Sequence, residues 1–229
     1  MRRVAIIGGT GIDELDDFSS CLQEIRNEYG SVFYKERDGI IFLPRHSKSH
    51  AYPPHLINYK ANIEALRQLG VCKAITIYAV GSITEKLKPM EWGIVDDFID
   101  ISGHSETFFT GLDKGVKHVD MTEPFDIELK KRIESISGVK SHVVYITTVG
   151  PRLETKAEIR AYRNMGADVV GMTLSSEAIL LKEAGIKNAS ISYSINWAAG
   201  VSDSIKFVSD NEIKKLTDEI VAVAIKALN

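Results

Sequence analysis

The 229-residue chain is poor in the residues that would point to several large classes of protein. It has two cysteines, Cys21 and Cys72, with no CxxC spacing, so neither a disulfide framework nor a zinc-thiolate site is suggested. No apolar run approaches the ~18 residues of a membrane span, and Met1-Arg2-Arg3 leads through only a few apolar residues to glycine, so a cytoplasmic protein is expected. Repeats, linkers and low-complexity segments are missing, which favours one domain over residues 1–229. A formal net charge of −3 argues against a general nucleic-acid binder and for a small-molecule partner.

The nucleotide fingerprints are also missing. The opening VAIIGGTGID places Gly8, Gly9, Thr10 and Gly11 after an apolar run. It lacks both G-x-G-x-x-G spacing and the Lys-Ser or Lys-Thr pair of a Walker loop. What remains is a strand ending in a glycine turn whose amides and one hydroxyl, Thr10, suit a single anion. An ordinary strand-to-loop turn is the alternative. The histidines His46, His50 and His55 do not share a helix face, and Pro53-Pro54 breaks any helix between them, so no metal site is expected.

Short apolar runs predict buried strands at 4–7, 40–43, 74–79, 143–147, 169–172 and 189–195. Amphipathic stretches at 57–68, 155–165, 176–183 and 211–228 predict helices between them. The alternation implies an α/β fold: a mixed, largely parallel twisted sheet flanked by helices. In such sheets ligands gather past the carboxyl ends of the strands. Those ends carry Arg45-His46, Ala79-Val80-Gly81, Leu153-Glu154, Met172-Thr173 and Asn196-Trp197.

Each residue also has a plainer reading. Arg45-His46 offers an anion a fixed cation beside a titratable donor, or decorates the surface. Thr173 can hold a phosphate or cap the helix that follows it. Glu154 can serve as a first-turn residue favoured by the helix dipole. Asn196 can present a donor and an acceptor to a base edge, or satisfy its own backbone in a turn.

Taken together, GGTGID, PRHSKSHAYPPHLINYKANIEAL, YAVGSI, HVDMTEPFD, GPRLETKAEIR, GADVVGMT and SINWAAG resemble the trimeric purine nucleoside phosphorylase and 5′-methylthioadenosine phosphorylase family, in its order and across nearly the whole chain. The resemblance implies phosphorolysis of a purine nucleoside to free base and pentose 1-phosphate. Inorganic phosphate would be the co-substrate, with no metal or organic cofactor. It implies a phosphate set of Thr10, Arg45, His46, Ala79 and Thr173. Val80, Gly81, Leu153, Glu154, Met172, Asn196, Trp197 and Ala198 would surround the nucleoside, with Asn196 and Glu154 as the catalytic pair.

His118 resembles a residue that enters the neighbouring subunit's site, which implies a homotrimer or a dimer of trimers. Asn196 with Glu154 resembles the 6-oxopurine type, acting on inosine, guanosine or 5′-methylthioinosine; a 5′-methylthioadenosine phosphorylase and a non-catalytic nucleoside-binding protein are the alternatives. His118 and the stretch from Pro53 to Tyr59 resemble the methylthio-accepting branch, whereas Asp210 aligns near a choice between an apolar residue and a 5′-hydroxyl contact. The chain departs from the family at Tyr78, often Thr or Asn; at Ser47, often glycine; and at Ser176, in place of a proline.

Overall fold

The computed structural model describes residues 3–12, 21–111, 113 and 115–229. Its strands are β1 (Arg3–Gly8), β2 (Gln23–Asn27), β3 (Gly30–Arg37), β4 (Ile40–Pro44), β5 (Val71–Ser82), β6 (Trp92–Asp100), β7 (His142–Thr147), β8 (Val169–Gly171) and β9 (Lys187–Trp197). Five α-helices accompany them: α1 (Tyr59–Gln68), α2 (Ile127–Ser137), α3 (Lys156–Asn164), α4 (Leu174–Glu183) and α5 (Asp210–Leu228). Every strand and helix expected from the apolar runs and amphipathic stretches is present, with ends moved by a few residues.

Four elements carry no such signal in the sequence. The hairpin β2–β3 is antiparallel; β2 alternates exposed with partly buried positions and β3 partly buried with buried ones, so its one apolar stretch, Val32-Phe33-Tyr34, is too short to stand out. Strand β6 begins apolar but ends in Asp97-Phe98-Ile99-Asp100, and α2 buries only Leu129 and Ile133.

The sheet order is β2-β3-β4-β1-β5-β8-β7-β6-β9, and β5 also pairs with β9. That extra pairing closes β5, β8, β7, β6 and β9 into a ring, from which β1, β4, β3 and β2 extend as an open wing. Among the described pairings, β1 with β4, β1 with β5, β5 with β9, β6 with β7 and β7 with β8 are parallel, which makes the sheet mixed but largely parallel as expected.

Both faces are covered. On one, α5 packs Ile213, Leu216, Ile220 and Val221 against Ile6, Phe42, Ile75 and Ile77; on the other, α1 and α4 pack Ile63, Leu66, Leu180 and Leu181 against Ile7 and Leu43. Helix ends follow their side chains: Asn58 accepts from the Ala61 amide, Asp126 from the Leu129 amide, and α2 stops at Gly138 with φ 72°. No described helix is long and apolar enough to cross a membrane. The consequence for ligands is that the carboxyl ends of β1, β4, β5, β7, β8 and β9 open on one cleft.

Candidate active site

The cleft encloses about 270 Å³ and takes Thr10 from the turn after β1, Arg45 and His46 after β4, and Tyr78, Ala79, Val80 and Gly81 from β5. Leu153 and Glu154 reach it after β7, Met172 and Thr173 after β8, and Asn196 and Ala198 from the end of β9. One of the residues expected there lies elsewhere. Trp197 lines a separate hollow with Ser202, Asp203, Ser204 and Lys206, because neighbouring residues of a strand point to opposite faces. His118, expected to serve a neighbouring subunit, is exposed and does not line this chain's cleft.

One end of the cleft is built around a missing side chain. A Cβ on Gly9 would lie 2.6 Å from Arg45 Nη1 and 3.2 Å from His46 Nε2, so the absence of that atom lets two nitrogen-bearing groups pack directly against the turn. The turn is held from behind. The Tyr193 hydroxyl donates to the Thr10 carbonyl, and Thr217 Oγ1 donates to the Gly11 carbonyl at 3.2 Å. His46 Nδ1 lies 2.7 Å from the Tyr52 carbonyl, which identifies Nδ1 as the protonated donor and turns Nε2 toward Gly9. The His46 ring also stacks on His50, with centroids 4.1 Å apart.

Arg45 is not surface decoration. Its Nε and Nη2 donate to the two carboxylate oxygens of Glu177 at 2.6 and 2.9 Å, its Nη1 donates to the Ile77 carbonyl at 3.0 Å, and only 3% of the residue is exposed. Burial works against its charge, but the Glu177 carboxylate prevails and holds the guanidinium's pKa above its ordinary value. Sequence reasoning had no signal for Glu177, a first-turn glutamate of α4 that is fully buried. Tyr78 sits beneath: Arg45 stacks on its ring at 4.3 Å and its hydroxyl donates to Glu177 Oε2 at 2.8 Å.

The departure at Ser47 has a visible consequence. Its φ of 67° and ψ of −176° lie in a region that suits glycine, and Ser49 and His50 follow with φ of 53° and 52°. A strain of ~1–3 kcal/mol is typical for each such residue, and it is concentrated directly after Arg45-His46.

Three residues with plainer readings can be placed in the structure. Thr173 stands at the N-cap of α4, makes no side-chain capping bond and lines the cleft. Glu154 precedes α3 rather than sitting in its first turn, because Thr155 and Glu158 form the capping box there. Instead the Thr148 hydroxyl donates to Glu154 Oε1 at 2.9 Å. Burial raises the Glu154 carboxyl above its ordinary pKa, against the hydrogen bonds that favour the anion. Asn196 is a strand residue opposite Gly81, 5% exposed, whose Nδ2 donates to the Trp197 carbonyl at 2.8 Å. One Nδ2 hydrogen anchors the amide, which leaves the second for a ligand.

Two glycines allow close packing beside this end. A Cβ on Gly150, which has φ 63°, would meet Met172 Sδ at 2.4 Å, and one on Gly171 would meet the Tyr145 hydroxyl at 1.9 Å. The cleft also collects Pro54, from the stretch singled out in the sequence, and Val170, Ile205 and Phe207, which sequence reasoning missed. Phe207 is 57% exposed although it lines a cleft, and Asp210 begins α5 outside it.

The phosphorylase superfamily model matches residues 3–227. The chain is 39% identical to the 6-oxopurine nucleoside phosphorylase of Pyrococcus furiosus over 100% of its own length and 92% of the relative's. It is 40% identical to a probable S-methyl-5′-thioinosine phosphorylase of Methanothermobacter thermautotrophicus, over 94% of this chain and 78% of that one. Among solved structures, an adenosine/methylthioadenosine phosphorylase double mutant from Schistosoma mansoni, in complex with adenine, superposes with a TM-score of 0.87 at 26% identity, covering 99% of this chain and 91% of that one. With a family model spanning nearly its whole length and relatives of this similarity, the chain belongs to the phosphorylase superfamily.

Proposed function

We propose that this protein is a purine nucleoside phosphorylase, a pentosyltransferase that cleaves 6-oxopurine nucleosides with inorganic phosphate. The observation that carries the reading is one cleft lined by Thr10, Arg45, His46 and Thr173 together with the Asn196 and Glu154 side chains. The names of the relatives from Pyrococcus furiosus and Methanothermobacter thermautotrophicus support it.

In this reading Thr10, Arg45, His46, the Ala79 backbone and Thr173 hold phosphate beneath the sugar, and Met172 packs against the ribose. Val80, Gly81, Leu153 and Ala198 enclose the base. A phosphate oxygen forms the bond to C1′ while the C1′–N9 bond breaks and its electron pair passes to the purine. The second Nδ2 hydrogen of Asn196 donates to N7 as that charge develops, and Glu154 accepts from N1–H. Positioning and preorganised charge supply the rate enhancement. The mechanism uses phosphate as co-substrate and calls on no metal or organic cofactor.

The 5′ end of the nucleoside faces Ile205, Phe207 and Pro54, an apolar mouth that favours a 5′-methylthio group over a bare hydroxyl. 5′-Methylthioinosine is therefore a substrate in this reading beside inosine and guanosine. His118 belongs to a homotrimer or dimer of trimers, in which it reaches a neighbouring subunit's cleft. Two free cysteines, Cys21 and Cys72, suit a cytoplasmic enzyme of purine salvage.

Phosphate-dependent base release is to be measured on inosine, guanosine, adenosine, 5′-methylthioadenosine and 5′-methylthioinosine. The 6-oxo members are expected to lead, with methylthioinosine at least equal to inosine. Leadership by the adenine members would overturn the roles given to Asn196 and Glu154, and no release from any member would overturn the enzyme assignment.

The close packing at Gly9 gives a second expectation. Gly9→Ala puts a methyl group within 2.6 Å of Arg45 Nη1, so phosphate must shift or the guanidinium must yield. Displacement on the ångström scale can cost ~10²-fold. The phosphate KM is expected to rise by about 10- to 100-fold with the nucleoside KM little changed, read from initial rates at varied phosphate.

A further inference from the structure

Arg45 is the single buried cation that the proposed function sets against phosphate, and its aim depends on what lies behind it. Its guanidinium has five N–H groups. Three are spent on Glu177 and the Ile77 carbonyl, so the group is locked in one plane with its Nη1 corner at Gly9. Glu177 is fully buried and accepts from Arg45 through both oxygens, and one of them, Oε2, also accepts from Tyr78. The phenol ring lies under the guanidinium at 4.3 Å and meets Tyr145 edge-on at 5.7 Å, which fixes its own tilt.

Left alone, a carboxylate bound to arginine through both oxygens would neutralise the charge that is to attract phosphate. A phenolic O–H on one of those oxygens withdraws part of that negative charge and pins the carboxylate rotamer. Tyr78 therefore touches Arg45 twice: directly through its ring, and indirectly through Glu177.

We propose that Tyr78 is a positioning residue for phosphate recognition, holding Glu177 so that Arg45 presents an oriented and only partly neutralised guanidinium to the cleft. The assignment rests on the phosphorolytic reading of the cleft. It extends that reading to a residue whose side chain gives its hydroxyl to Glu177 and its ring face to Arg45.

The test is Tyr78→Phe, which keeps the ring under Arg45 and removes only the hydroxyl. The phosphate KM is expected to rise about tenfold, while kcat at saturating phosphate and the nucleoside KM stay within about twofold, since a hydrogen bond to a charged group is lost without touching the sugar or base. A purely packing role would not separate the two KM values. An unchanged phosphate KM, or an equal rise in both, overturns the proposal.

A mutant cycle adds a second arm: Tyr78→Phe placed on a Glu177→Gln background should raise the phosphate KM no further, because the hydroxyl acts through Glu177. Multiplicative effects in the double variant would overturn that route. Wild-type protein in the same assay separates the levels: no phosphate-dependent base release from it overturns the phosphorylase reading and this assignment together, whereas an active wild type with an indifferent Tyr78→Phe overturns the assignment alone.

Discussion

Asn196→Ala is expected to lower kcat for inosine phosphorolysis by about 10²–10³-fold, the range typical for removing one preorganised donor from a developing negative charge. The donor at issue is the second Nδ2 hydrogen, since the first already bonds the Trp197 carbonyl at 2.8 Å. Because N7 gains its charge as the glycosidic bond breaks, the interaction is stronger in the transition state than in the ground state. The nucleoside KM should therefore change far less than kcat.

Folding is a modest concern. The substitution leaves the Trp197 carbonyl without its side-chain donor, a cost of ~1 kcal/mol, but β9 remains paired with β5 through its backbone. Circular dichroism and a thermal melt on the same preparation check that the strand survives. A fall of less than about threefold in kcat, with the protein folded, would remove Asn196 from the chemistry.

The sheet was legible because its central strands are buried on both faces and read as plain apolar runs; Ile6-Ile7 and Ile41-Phe42-Leu43 are fully buried and contain no alternation. The hairpin β2–β3 was illegible for the opposite reason: it alternates, and its polar residues outnumber its apolar ones. Ring closure through β5 and β9 is a tertiary pairing that no local pattern announces.

At the site, Arg45, His46, Glu154, Thr173 and Asn196 were readable from the rule that function gathers past strand ends, and they do line one cleft. Trp197 fails because it follows Asn196 in the same strand and so faces the other way. Glu177 escaped since its role comes from a partner 132 positions away, and a glutamate in a first helical turn has a sufficient local explanation. Ile205 and Phe207 escaped because apolar side chains in a loop carry no periodic signal. Tyr78 was visible as a departure from the family, but its meaning required seeing where the hydroxyl points.

Glu154→Gln should collapse the preference for 6-oxopurines by about 10²-fold or more, within the ~10⁴-fold that a buried hydrogen-bonding group can enforce. The carboxylate is an acceptor, matched to the N1–H of hypoxanthine or guanine and mismatched to the bare N1 of adenine. Glutamine offers an acceptor and a donor on one head group, so its N–H can serve adenine N1 and the penalty against adenosine falls.

The pH dependence runs the same way. Burial raises the Glu154 pKa, so as pH falls through that raised value the carboxyl takes up a proton sooner than an exposed glutamate would. In the wild type, kcat/KM for inosine should therefore drop on the acid side while adenosine loses less, and the ratio of the two should narrow. The glutamine variant has no proton to gain, and its ratio should not move across that limb.

Stability separates this from damage. A carboxyl whose folded pKa is raised is a group that folding holds less comfortably ionised than the unfolded chain does, so at neutral pH its replacement by glutamine should leave the melting temperature unchanged or slightly higher. Ratios of kcat/KM for inosine and adenosine, measured against pH for both proteins, decide the matter: parallel ratio profiles would show that some other group sets the base preference.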